Sequence, residues 1–132
     1  MDRIDMHVAV PRLKYEEIAG IDNVEPSSVI ACRVAEARLR QSKRLKELGV
    51  FCNSQMNHRQ VRVTCRIASA AQELLRQAFE KMHLNARSYD RIIKVAQTIA
   101  DLAGSDIIGP NHMAEAVQLR LSLAENGRPK LY

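Results

Sequence analysis

Arg87 stands in the run Leu84-Asn85-Ala86-Arg87-Ser88-Tyr89-Asp90-Arg91, at the opening of the most strongly patterned helix in the chain. A guanidinium fixed at the N-terminal end of a helix can offer its charge to an anion, and its planar fork suits phosphate or carboxylate oxygens. Arg91, Lys94, Thr98 and Asp101 follow at intervals of three and four, so they are expected on the same polar face as Arg87. On the other side, Tyr89, Ile92, Ile93, Ala96, Ile99, Ala100 and Ala103 keep the period of a buried helix face. The competing expectation is that Arg87 is a surface residue paired with Asp90 or Glu80. Arg91 and Lys94 could equally salt-bridge to Asp90 or Asp101.

Other chemistry is sparse. The sequence has no GxSxG, no HExxH and no paired carboxylates that spacing alone would support. The segment Gly104-Ser105-Asp106-Ile107-Ile108-Gly109-Pro110-Asn111 has the glycine spacing of a phosphate loop. It places Pro110 and Asn111 where a lysine and a hydroxyl are required, and it follows a helix instead of a strand, so that reading fails. Cys32, Cys52 and Cys65 read as free thiols. A metal site from Cys52, His58 and Cys65 lacks a fourth ligand at a recognised spacing. His7, His58, His83 and His112 are scattered over different elements, and Met56, Met82 and Met113 read as core filler. Arg33, Arg40 and Arg44 share roughly one face of an early helix that also carries Arg38, Lys43 and Lys46. Glu36 can pair with Arg40. With no aromatics interleaved, this face is expected to be solvated more than nucleic-acid binding.

The elements that must position these residues follow from punctuation and period. Residues 3–10 alternate apolar and polar side chains up to Pro11 and read as one strand, for which no second strand is apparent. Tyr15–Ile18 suggests a short helical turn. Pro26-Ser27-Ser28 then marks a helix start, with a serine as cap, and that helix is expected to run to Leu48 before Gly49. Its inner stripe would be Ile30, Val34, Ala37, Leu45 and Leu48, interrupted by Gln41. A connector at Val50–Asn57 precedes a short helix near His58–Cys65. A further helix over Ser69–His83 would bury Leu75, Ala78, Phe79 and Met82. Asn85 caps the Arg87 helix, which ends near Gly104. Pro110 opens a last helix with Met113, Ala116, Val117 and Leu121 inward, and the tail from Asn126 is expected to fray.

The chain has 132 residues, 46% of them apolar and 4% aromatic, with no Trp. That size suits one domain, and that composition favours packed helices over a β-sandwich. The net charge of +5 permits contact with a polyanion without demonstrating it. No apolar run reaches the roughly 20 residues of a membrane span. Asp2, Arg3 and Asp5 argue against a secretory signal, which makes a cytoplasmic location the expectation.

Three segments carry a family resemblance: Asp2-Arg3-Ile4-Asp5-Met6-His7-Val8-Ala9-Val10-Pro11-Arg12, Cys52-Asn53-Ser54-Gln55-Met56, and Ala86–Ile92 continuing through Thr98-Ile99-Ala100-Asp101-Leu102. Together they resemble the C-terminal part of magnesium-chelatase-like AAA+ ATPases, nearest to the bacterial ComM/YifB type linked to competence and DNA recombination. The resemblance implies an all-α fold: a small helical lid bundle over residues 26–132, preceded at 1–25 by the terminal strand and linker of an αβα ATPase core. It implies that Arg3 is an arginine finger reaching the ATP of a neighbouring subunit. It also implies that Arg87 is a sensor arginine for the γ-phosphate of its own subunit's ATP, with Arg91 as an additional contact. ATP and Mg²⁺ would belong to the parent protein, whose phosphate loop and Mg²⁺-binding acids are not in this sequence, so the fragment alone should neither hydrolyse ATP nor bind it tightly. The implied partners are the ATPase core, a homo-oligomeric ring and DNA, with no membrane. Two other readings stay open: a basic helical nucleic-acid-binding module, and the lid of a metal-chelatase motor subunit.

Overall fold

A computed structural model describes residues 4–20 and 24–126, with side chains as far as residue 120. Among these residues there are six α-helices: α1 (Tyr15–Ala19), α2 (Ser27–Leu45), α3 (His58–Thr64), α4 (Ser69–Met82), α5 (Ala86–Leu102) and α6 (Pro110–Asn126). Two short 3-10 turns, Lys46–Leu48 and Asn53–Gln55, lie between α2 and α3. The all-α expectation holds. The expected strand over residues 3–10 has no ladder among the described residues, where the one β-bridge is an isolated pairing of Ile67 with Ile108.

α5 is the axis of the bundle. α6, α2 and α3 pack directly on it, and α4 packs on α6. Ile92, Ile93, Ala96 and Ala100 of α5 are buried with Leu75 of α4 and with Met113, Ala116 and Val117 of α6, as their period requires. Leu45, Met56 and Val61 complete the core. Phe79 departs from expectation: it lies at the rim of the core, with its ring edge-on to Tyr89 at a centroid distance of 6.0 Å.

Local chemistry sets the helix ends. Asn85 Oδ1 accepts the Ser88 amide at 2.8 Å and caps α5. Asn57 and Gln60 form a reciprocal capping box at α3, each side chain accepting the other's amide at 2.9 Å. The start of α2 differs from the serine-capped expectation. Pro26 occupies the cap position, and its carbonyl accepts the Val29 and Ile30 amides. α2 tightens into a 3-10 turn after Leu45 and stops at Gly49, whose φ of 71° is left-handed and favours glycine.

α2 also buries less than its pattern suggests. Ile30 and Val34 are 43% and 46% exposed, because only Ala37, Gln41 and Leu45 reach the bundle. The former phosphate-loop candidate is a helix connector. Ile108 is fully buried there, its amide donating to the Arg66 carbonyl and its own carbonyl accepting from Ala68.

Candidate functional site

The polar face of α5 is open at one end and covered at the other. Arg87, in the first turn, is exposed and makes no ion pair or side-chain hydrogen bond among the described residues. Both carboxylates that could have held it are engaged elsewhere. Asp90 faces His58 Nδ1 at 2.8 and 2.9 Å, and Glu80 accepts from Arg76 at 2.8 Å. Arg91, one turn further, is 22% exposed and faces Asp5, with 3.1 Å between Nη1 and Oδ1. The approach has the distance of an ion pair without the angle of a hydrogen bond.

Lys94 is partly covered as well, its ammonium donating to the Ser54 carbonyl at 3.3 Å. At Thr98 and Asp101 the face is closed. Asn53 donates to Thr98 Oγ1 at 3.0 Å and to Asp101 Oδ2 at 2.9 Å. Arg44 reaches in from α2 and grips the Asp101 carboxylate with both Nη atoms, at 2.7 and 2.9 Å. The same guanidinium donates to Asn53 Oδ1 at 2.8 Å, and Gln97 donates to Asp101 Oδ1 at 3.2 Å. Gln41, which interrupted the apolar stripe of α2, accepts the Asn53 amide at 3.0 Å.

Asp101 is therefore 3% exposed instead of solvated, and Gln97 is 1% exposed beside it. A buried carboxylate is tolerable only when charge and hydrogen bonds replace water, and Arg44 and Asn53 do this. Arg44 is thereby excluded from any solvated basic face, and Arg40 pairs with Asp106 at 3.1 Å in place of the expected Glu36.

One residue of the open end escaped notice in the sequence. Arg120 of α6 donates through Nη1 to the Ile4 carbonyl at 2.5 Å and through Nη2 to Ser88 Oγ at 2.9 Å. The His7 amide donates to the Leu119 carbonyl at 2.8 Å, so residues 4–7 run beside α6 and α5. Asp5 and Met6 join Arg91, Lys94, Glu115 and Leu119 in lining a cleft of about 490 Å³ there. The only signal for Arg120 was its spacing of three and four residues from the core positions Val117 and Ala116. Arg3 lies outside the described residues.

The cysteines differ by environment. Burial pushes the Cys65 thiol up to about 11, with Arg44 opposing and Asp101 adding to the shift. Cys52 is lowered instead, first by its hydrogen bond with Ser54, whose hydroxyl lies 3.1 Å from Sγ.

The covered end of α5 coincides with the Cys52–Met56 and Thr98–Leu102 segments, and the open end with Ala86–Ile92. Residues 24–120 match the family described as magnesium chelatase, subunit ChlI C-terminal. The chain belongs to this magnesium chelatase family. It is 31% identical over 121 residues to competence protein ComM of Haemophilus influenzae, and 33% identical over 125 residues to the protein YifB of Escherichia coli. It is also 33% identical over 120 residues to the protein Rv2897c of Mycobacterium tuberculosis. Each match covers 91% of this chain but only 23%, 23% and 24% of the respective relative. The chain thus spans about a quarter of the length of the curated relatives it matches. Among the described residues, no helix of this family member is long and apolar enough to cross a membrane.

Proposed function

We propose that this chain is the C-terminal helical lid of an ATP-hydrolysing ring motor of the magnesium-chelatase-like family. In this reading residues 26–132 form the lid, and residues 1–25 are the end of the ATPase core. The observation that carries it is Arg87: an exposed guanidinium in the first turn of a capped, well-packed helix, with each nearby acidic rival already engaged. Such a residue fits a phosphate oxygen. The helix N-terminus adds unpaired amides and a favourable dipole for the same charge. In this reading the metal and most of the triphosphate are held by the ATPase core.

ATP supplies the phosphoryl group whose hydrolysis drives the ring. The part of this chain is to present Arg87 to the γ-phosphate and to hold its orientation through the Asn85 cap and the core face of α5. Arg91 would join by exchanging Asp5 for a phosphate oxygen. Arg3 would act as an arginine finger toward the neighbouring subunit, stabilising charge as it develops on the transferring group. The name of ComM, a competence protein, supports DNA as what the motor acts on, while the family description keeps a chelatase role as the second reading.

The test joins this chain to its ATPase core and measures steady-state ATP turnover. Arg87→Ala is expected to lower turnover by about 100-fold or more, the usual scale for losing one preorganised contact to developing charge. Turnover within about twofold of wild type would remove Arg87 from the site.

A further inference from the structure

Asp90 stands three residues beyond Arg87 on α5, at a spacing where an arginine and a carboxylate share a helix face and attract. Its side chain is only 18% exposed, so water alone does not satisfy its charge. Two other cations of the same helix are occupied: Arg91 faces Asp5, and Lys94 donates to the Ser54 carbonyl. Arg87 has no partner among the described residues and is the cation left to claim Asp90. A side chain from another helix prevents this. His58 is the first residue of α3, and its Nδ1 lies 2.8 and 2.9 Å from the two Asp90 oxygens. Glu80, the other acid near Arg87, is 61% exposed and paired with Arg76, so it competes weakly.

The position of this donor is built in. The capping box of Asn57 and Gln60 fixes the first turn of α3, and buried Val61 anchors that helix on the core beside α5. Against a carboxylate Nδ1 is the donating nitrogen, in the neutral ring and in the charged one. Its bond lies between both oxygens and turns the carboxylate toward α3. We infer that His58 is a positioning residue: by holding Asp90 it keeps the Arg87 guanidinium unpaired and available to an anion. The consequence for ATP rests on the reading of Arg87 as a phosphate contact, whereas the release of Arg87 from Asp90 does not.

Three variants separate this role from a merely structural one. The imidazole is 57% exposed, so removing it opens no cavity in the core. His58→Leu deletes the donor and leaves Asp90 to pair with Arg87. His58→Asn keeps a donor, because the amide nitrogen stands as many bonds from the backbone as Nδ1 does. His58→Leu with Asp90→Asn removes the donor and the rival charge together, which sets Arg87 loose again.

The first readout needs no nucleotide. In the ¹⁵N-labelled chain, NMR follows exchange of the Arg87 Nε–H with water, the signal being assigned by its loss in Arg87→Lys. His58→Leu is expected to slow this exchange by about twofold or more as the ion pair forms. His58→Asn and the His58→Leu, Asp90→Asn double variant should both exchange as the wild type does. The second readout is ATP turnover by the chain joined to its ATPase core. Only molecules with Arg87 unpaired are competent, so His58→Leu should raise the half-saturating ATP concentration by about twofold or more and change kcat little. Adding Asp90→Asn should reverse that rise. If His58→Leu alters the helix content by circular dichroism, His58→Ala gives the same comparison. Unchanged Arg87 exchange in His58→Leu overturns the inference, since Asp90 would then have turned to Lys94 or Arg62. A slowing that Asp90→Asn does not reverse overturns it too. Normal turnover in Arg87→Ala, with the slowed exchange still seen in His58→Leu, removes the phosphate reading instead and supports the hold of His58 on Asp90.

Discussion

Arg44 and Arg87 meet the same helix and have opposite fates. Arg44 enters from α2 at the C-terminal end of α5, is 23% exposed and grips a carboxylate that is itself out of water. Arg87 leaves from the N-terminal end of α5 into solvent, and its acidic neighbours are held by His58 and Arg76. The residue type is the same and so is the helix. What differs is whether the fold supplies a counter-ion. An arginine with a buried partner is part of the architecture, because freeing it would strand a charge. An arginine whose rivals are engaged elsewhere keeps its charge for something outside the chain.

The largest test of this contrast is at the closed end. Asp101→Ala strands Arg44 and should destabilise the chain by about 3–5 kcal/mol, read from urea unfolding. Replacing both partners by apolar residues, Arg44→Met with Asp101→Leu, should recover part of that loss, since the desolvation cost of the pair disappears while buried Asn53 and Gln97 lose hydrogen bonds to it. A loss below about 1 kcal/mol in the single variant would place Arg44 in solution with Arg87. Cys65 reports on the same end through pH. Its folded value is raised to about 11 from the usual 9.0, so the unfolded chain releases this proton first. Its contribution to stability is full below about pH 9 and is lost as pH rises toward 11, amounting to about 1 kcal/mol at pH 10. Urea midpoints across that range should fall for the wild type and fall less for Cys65→Ala.

At the open end the effects shrink. Asn85→Ala removes the α5 cap and should cost about 1 kcal/mol in thermal or urea unfolding, whereas Asn85→Gly should cost only a few tenths. Arg87→Ala should leave stability within about 0.5 kcal/mol. A loss well beyond that would reveal a structural partner for Arg87 and erase the contrast.

The elements themselves were largely legible. Asn85, Gly104 and an almost unbroken apolar period delimit α5, and Pro110 starts α6 where a proline without an amide is tolerated. The fate of its polar residues was not. Asp101 is four residues beyond Gln97 and eight beyond Ile93, so it lies on the margin of the core stripe. Hydrophobicity alone assigns that margin to water. Beyond the local donor Gln97, its burial depends on Arg44, 57 residues earlier, and Asn53, 48 residues earlier, and local period says nothing about such partners. Ile30 and Val34 fail in the reverse direction. Their spacing marks an apolar face, but the bundle ends before it covers them. In the open site, Arg87 could be singled out by its place in the helix, whereas Arg120 could not, because its acceptors are a backbone carbonyl and a serine hydroxyl distant in sequence.

The Arg120 guanidinium is a rigid plane, and two of its nitrogens are committed to different parts of the chain. It cannot turn toward the Ile4 carbonyl without leaving Ser88, or the reverse. Residue 4 and the first turn of α5 are therefore bridged by one rigid guanidinium through a hydrogen bond to each. Ser88 adjoins Arg87, and Asp5 adjoins Ile4 and faces Arg91. Residues 4 and 5 are thus tied to the turn that carries Arg87 and to Arg91 by two hydrogen bonds and an ion pair.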